Sequence, residues 1–213
     1  MKGGLKKQMN SDNLLRIVLF RHGETRYNIE KRLQSPKDSL TEEGVIQVKN
    51  SLNLLKGFNF DKILSSDELR AVQSAEIISN DLGVPFEQSS LIREKSSGDF
   101  SDKLVKEVDW STVIGTFLEK KIKNGESIKD VICRATRFFE ILNNFNQGET
   151  ILVISHGTFI RVLFSIILNK DIQEIVLNHE FPNSTHITLI RSDSGKWGVE
   201  HNSLIKKEDK KNG

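Results

Sequence analysis

A single cysteine, Cys133, stands among the 213 residues. No disulfide can form within the chain, so a reducing compartment, the cytoplasm, is the expected setting. Long apolar runs are missing too: nothing approaches the roughly 18 to 20 residues that cross a bilayer. The apolar stretch behind the basic opening MKGGLKKQMNSDN is too short for a secretory leader and carries Arg16. Charge of one sign is scarce. Lys and Arg number 31 against 29 Asp and Glu, a net +2, which gives neither nucleic acid nor a membrane surface an electrostatic hold. Internal repeats and low-complexity blocks do not occur.

What is present is 37% hydrophobic and 28% charged residues, the composition of an ordinary soluble domain able to bury one core. Residues 1–12 read as a flexible N-terminal tail, 13–205 as one domain, and 206–213, KKEDKKNG, as a charged C-terminal tail. Three runs rich in branched residues predict buried strands: LLRIVLF (14–20), DKILSS (61–66) and TILVISHG (150–157). Helical spacing fills the gaps between them. Thr41 caps a helix with Val45, Val48, Leu52 and Leu55 on one face, stopped at Gly57. A second helix starts near Ser66, buries Leu69, Val72, Ala75, Ile77 and Ile78, and ends at Gly83.

The third helix is the clearest. Ser127 caps it with Asp130 three positions on, and Val131, Ala135, Phe138, Phe139, Leu142 and Phe145 form its apolar stripe. A short helix follows over 158–168, and STHITLI and KWGVE flank RSDSG as a terminal hairpin. Strands alternating with helices predict the α/β class, a three-layer α/β/α sandwich around a mainly parallel sheet. Residues 96–124 follow no strong pattern and suit a lid or insertion.

In such a sheet, ligands bind beyond the carboxyl ends of the strands. The first run ends in Arg21-His22, the second leads through SSDEL to Arg70, and the third ends in Ser155-His156-Gly157. Two arginines and two histidines therefore converge on one edge. Adjacent strand residues point to opposite faces, so Arg21 and His22 share a site only if the chain turns, which Gly23 permits; Gly157 offers His156 the same freedom. Arg70 falls in the first turn of its helix, where free N–H groups favour an anion.

These groups suit a phosphoryl group. Guanidinium forks grip phosphate oxygens in bidentate fashion, a neutral imidazole can attack phosphorus, and a second, cationic histidine can hold transition-state charge. The leaving alkoxide needs a proton, and Glu94 in LIREKSSGDF is the candidate donor.

The segments LFRHGETRYN, SSDELRAVQSAE, LIREKSSGDF, NGESIKDVICRA and LVISHGTFIRVL, in that order, resemble the signature segments of the histidine phosphatase superfamily, the phosphoglycerate-mutase-like proteins. The resemblance implies that fold, with His22 as phosphohistidine nucleophile and Arg21, Arg70 and His156 holding the phosphoryl group. It makes Glu94 the proton donor and later the base for water, and it brings Asn28 and Gln34 to phosphate or substrate. No cofactor and no metal are implied. Two positions depart from the family pattern. Ser35 stands after Gln34 where the family often has glycine, and Gly98-Asp99-Phe100-Ser101-Asp102 replaces Gly-Asp-Trp-Glu-Gly beside the donor.

A phosphatase acting on phosphomonoesters of small metabolites is the favoured reading. The bisphosphoglycerate-dependent mutases of this family usually carry Glu-Arg-His-Tyr-Gly at the donor and a longer insertion, whereas Glu94 is followed by KSSGDFSDK. A mutase is therefore the alternative, with a phosphoprotein phosphatase or an inactive binding module behind it. The expected partner is a small phosphorylated substrate, without nucleic acid or membrane; the oligomeric state stays open. Cys133 reads as a packed thiol, Glu24 as a loop-ordering residue, and Lys120, Lys121 and Lys123 as a solvated face. His179, His186 and His201 lack ligand-like spacing.

Overall fold

The computed structural model describes residues 13–207. A six-stranded sheet runs in the order β3-β2-β4-β1-β6-β7. It comprises β1 (Leu15–Arg21), β2 (Lys62–Ser66), β3 (Phe86–Ser89), β4 (Thr150–Ser155), β6 (His186–Arg191) and β7 (Trp197–His201). The first four are mutually parallel; β6 pairs antiparallel with β1, and β7 with β6. Two residues each of β5 (His179–Glu180) and β8 (Ile205–Lys206) form a separate small ribbon. The sheet is thus mainly parallel, with an antiparallel hairpin where STHITLI and KWGVE predict one.

The chain moves outward from β1 to β2 to β3 and then returns to β4. Right-handed crossovers place outward and returning helices on opposite faces. α2 (Glu42–Leu55) and α3 (Leu69–Leu82) cover one face, packing Val48, Leu52, Leu55, Ala75 and Ile78 against Val18, Phe20, Leu152 and Ile154. α4 (Ile128–Asn143), α5 (Gly157–Ile167) and α6 (Ile172–Asn178) cover the other, over Ile17, Leu19, Ile151 and Val153. Covered on both sides, the central strands need apolar residues at odd and even positions alike. That is why LLRIVLF and TILVIS run without alternation.

The capping expectations hold in atomic detail. Ser127 Oγ accepts from Asp130 N at 3.1 Å while Asp130 returns a bond to Ser127 N at 2.9 Å, a reciprocal box that starts α4. Thr41 Oγ1 accepts from Gly44 N at 2.9 Å and starts α2. Gly83 ends α3 at φ 70°.

Some expectations need correction. α3 begins at Leu69 with Glu68 as its cap, and its buried face is Arg70, Ala71, Ser74, Ala75 and Ile78. Leu69 is exposed, because the inward face is narrow: its small residues let the helix lie close to the strands, and Arg70 takes the inward place. The 150–157 strand stops at Ser155, since His156 is already the cap of α5. Cys133 is exposed rather than packed, for α4 turns its Val131–Ala135–Phe138–Leu142 stripe to the sheet.

Short elements with weak periodicity went unpredicted: α1 (Arg26–Glu30), β3, α6, β5 and β8. The expected tail 1–12 lies outside the described residues, as do residues 208–213; Lys206, expected in a tail, pairs with His179. Segment 96–124 holds only single 3-10 turns, at Gly98–Phe100, Val105–Glu107 and Trp110–Thr112. It is anchored to residues 31–33 through Leu33 N to Lys103 O at 2.9 Å and Val105 N to Lys31 O at 3.0 Å.

Candidate active site

β1 and β4 lie side by side at the sheet centre, so their carboxyl ends deliver Arg21-His22 and Ser155-His156 to the same place. The backbone ladder runs one step further, with His22 N donating to Ser155 O at 3.1 Å. Both histidines are fully buried, and their rings sit 5.1 Å apart between centroids. Arg70 reaches them from the first turn of α3, its Nε donating to His22 Nε2 at 3.2 Å and its Nη1 to Ser35 O at 2.9 Å.

His22 Nδ1 lies 2.7 Å from Gly23 O. A carbonyl only accepts, so Nδ1 carries the proton and Nε2 keeps its lone pair, the atom a nucleophile needs. Burial, reinforced by the Arg70 and Arg21 charges, holds the His22 pKa well below the usual histidine range. The ring is therefore neutral at pH 7.

Arg21 lies near both rings, and its charge disfavours the imidazolium of each. Its Nη1 donates to Phe181 O and its guanidinium packs over Gly157, while its buried Nε has no partner. Desolvation pushes its pKa down to about 10, against the pull of Glu94. β1 ends at Arg21, and Gly23, in the loop that follows, does not adopt a left-handed conformation. Its requirement is space: a Cβ there would lie 2.5 Å from Gly44 O and 2.9 Å from Val48 Cγ2. Gly157, by contrast, has room for a side chain, with Arg21 Cζ at 3.6 Å.

His156 departs from expectation in its charge. Burial first, then Arg70, His22 and Arg21, hold its pKa well below the usual range, so the ring is neutral rather than cationic. Its Nε2 lies 3.1 Å from Glu68 Oε2, yet the alignment is poor and neither ring nitrogen makes a hydrogen bond.

Glu94 stands at the rim. Its Oε1 accepts from Lys95 N at 2.8 Å, and its Oε2 from Thr158 N at 3.2 Å, in the first turn of α5. The turn that carries it is pinned by two side chains at three carbonyls: Ser155 Oγ donates to Ile92 O at 2.7 Å, and Arg134 of α4 donates to Leu91 O at 2.9 Å and Glu94 O at 3.1 Å. Glu94 and Arg21 line a cavity of about 430 Å³ with Thr158, Arg161 and Asn183. A second cleft, about 310 Å³, is walled by Trp110, Val113, Phe117 and Ile122 of the 96–124 segment. Lys95, Lys120 and Lys121 also line it, so two of the lysines expected on a solvated face border a cleft.

Asn28 and Gln34 are brought near but are already occupied. Asn28 Oδ1 accepts from Thr25 N at 3.1 Å and from Asn183 Nδ2 at 3.2 Å, and Gln34 Nε2 donates to Thr25 Oγ1 at 3.1 Å. They brace the loop after β1. Ser35, in place of the frequent glycine, turns its carbonyl to Arg70.

Three residues at the site escaped the sequence reading. Glu68 is buried and pairs with Arg70 Nη2; its place two residues before Arg70 was the available clue. Asn183 donates to His22 O at 3.0 Å and Gly23 O at 3.2 Å from the stretch before β6, which nothing in the sequence marks. Ser74 accepts from Gly23 N at 3.2 Å, one helical turn after Arg70.

Comparison with known proteins agrees with this geometry. The family model for the histidine phosphatase superfamily (branch 1) matches residues 17–204. A curated relative from Escherichia coli, "Probable phosphoglycerate mutase GpmB", is 32% identical over 163 residues, which are 73% of this chain and 75% of that protein. Among solved structures, a mycobacterial glucosyl-3-phosphoglycerate phosphatase superposes with a TM-score of 0.75 at 23% identity, covering 87% of this chain and 96% of the other. The α-ribazole phosphatase of Shigella flexneri gives 0.77 at 21%, covering 87% and 94%. YhfR of Bacillus stearothermophilus gives 0.78 at 24%, covering 87% and 95%. The match of the model across the sheet, the two histidines and Arg70 shows that this chain belongs to the histidine phosphatase superfamily, branch 1.

Proposed function

We propose that the protein hydrolyses phosphomonoesters of small metabolites through a covalent phosphohistidine on His22. The observation that carries this reading is the His22 ring: neutral, protonated on Nδ1 toward Gly23 O, and facing Arg70 with Nε2. In the first step Nε2 attacks phosphorus, the N–P bond forms and the P–O bond to the leaving group breaks. Glu94 gives its proton to the departing alkoxide. Arg21, Arg70 and His156 hold the three phosphoryl oxygens, and the incoming negative charge favours a proton on His156 that burial otherwise keeps off. In the second step Glu94 takes a proton from water, whose oxygen attacks phosphorus and breaks the N–P bond. Asn28 and Gln34 enter as braces of the His22 loop, with Asn28 Nδ2 available to the substrate.

The cavity of about 430 Å³ that Glu94 lines supports a leaving group of metabolite size. A mutase is the second reading, supported by the name of the Escherichia coli relative. We place the protein in the cytoplasm, in keeping with an exposed cysteine that has no partner in its own chain. Among the described residues no helix is long and apolar enough to cross a membrane.

The test is a panel of phosphoglycerates, sugar phosphates, phosphoserine, α-ribazole phosphate and a nucleoside monophosphate, assayed with and without chelator. Release of inorganic phosphate that chelator leaves intact is expected, with a loss of about a thousandfold or more in His22→Ala. Activity that survives His22→Ala overturns the mechanism. Turnover of 3-phosphoglycerate dependent on catalytic 2,3-bisphosphoglycerate, faster than any phosphate release, overturns the choice of phosphatase over mutase.

A further inference from the structure

Glu68 is an anomaly in a site built for an anion. It occupies the N-cap of α3 but makes no capping bond, so its carboxylate leaves the helix N–H groups and turns into the cup. There Oε2 meets both Arg70 Nη2 and His156 Nε2. Glu68 is buried, with its side chain 8% exposed, a costly place for a charge that a solvated position would hold freely. The groups facing it are Arg70 on its own helix, His156 at the head of α5, and Arg93 and Glu94 on the turn after β3. Burial raises its pKa and Glu94 adds to the rise, while Arg70 and Arg93 oppose it.

We propose that Glu68 is a resident competitor for the phosphoryl site: its carboxylate covers the faces of Arg70 and His156 that receive phosphoryl oxygens, and a bound oxyanion must displace or neutralise it. This rests on the reading of the cup as a phosphoryl site. A counter-ion that merely holds Arg70 in place makes the opposite prediction, since its removal weakens oxyanion binding. Competition makes removal strengthen it. Neutralisation of Glu68 on binding also takes one proton from solution, so affinity falls as pH rises through the Glu68 titration and levels off below it.

Sulfate is the probe, because it stays a dianion from pH 5.5 to 9 and its own titration does not intrude. Calorimetry in buffers of different ionisation enthalpy reads both affinity and proton uptake. Glu68→Gln is expected to bind sulfate about tenfold tighter than wild type at pH 8, with less proton uptake and a flatter pH dependence. Equal or weaker binding in Glu68→Gln overturns the proposal and leaves a positioning counter-ion. Failure of both proteins to bind sulfate overturns the phosphoryl cup itself, so the two failures are distinct. A structure of the wild type soaked with sulfate needs no variant: Glu68 swung away from Arg70 and His156 supports competition, and Glu68 unmoved beside sulfate with no proton taken up on binding overturns it.

Discussion

Each residue of the candidate site owes its state to its immediate neighbours. His22 is a free base because burial, and then the Arg70 and Arg21 charges, disfavour the imidazolium, while the Gly23 carbonyl keeps the remaining proton on Nδ1. The role of Glu94 separates from that of His22 through the leaving group. With p-nitrophenyl phosphate, whose leaving group needs no proton, Glu94→Gln should release a burst of nitrophenol equal to the enzyme and then turn over slowly, while an alkyl phosphate shows no burst. Steady-state rates should drop about 10² to 10⁴-fold. Quenched-flow measurement showing no burst, or an equal loss on both steps, removes Glu94 as acid and base. Arg21, His22, Arg70 and His156 could be singled out at this scale because guanidinium and imidazole side chains follow three separate apolar runs: Arg21 and His22 the first, Arg70 the second and His156 the third. Glu68 and Asn183 could not, since their partners come from elements remote in sequence.

The elements act by bringing backbones close. The loop after β1 packs so tightly on α2 that Gly23 and Gly44 leave no room for a Cβ; one at Gly44 would lie 2.1 Å from Glu24 O. Gly23→Ala should therefore shift the His22 loop, lowering kcat by an order of magnitude or more while the circular dichroism spectrum stays that of the native fold. Wild-type kcat in a folded Gly23→Ala protein removes this account. Ser127→Ala breaks a reciprocal cap and should cost about 1 kcal/mol in urea unfolding, with kcat unchanged because the cap bonds run between Ser127 and Asp130 and not to His22, Arg70, Glu94 or His156. An unchanged unfolding midpoint would mean the box contributes nothing. Helices with a firm apolar stripe were readable in sequence. α1, α6 and β3 were not, because at four to seven residues periodicity has too few turns to register.

At the scale of the whole molecule, folding buries neutral histidines. His22, His156 and His186 all have pKa values lowered by desolvation, whereas in the unfolded chain histidine titrates near 6.5. Below that pH the unfolded state binds more protons than the folded one, so stability falls as pH falls, by up to about 1.4 kcal/mol per unit for each group. Glu68, raised, acts in the opposite sense and offsets part of the loss. The thermal midpoint should therefore drop between pH 7 and 5 in buffer free of oxyanions, and His156→Gln should flatten that drop; a midpoint that holds or rises contradicts the burial of neutral rings.

The strand order and the segment 96–124 show where sequence reading stops. Apolar runs and helical stripes specify elements and their alternation, and with them an α/β sandwich. They do not say that β4 inserts between β2 and β1, which alone sets His156 beside His22. Sequence by itself determined the longer elements, the caps of α2 and α4 and the arginines and histidines that follow the apolar runs, because those are matters of local spacing and side-chain type. Tertiary structure alone decided the tautomer of His22, the neutrality of His156 and the presence of Glu68 in the cup, because each depends on burial and on partners that only the folded chain brings within reach.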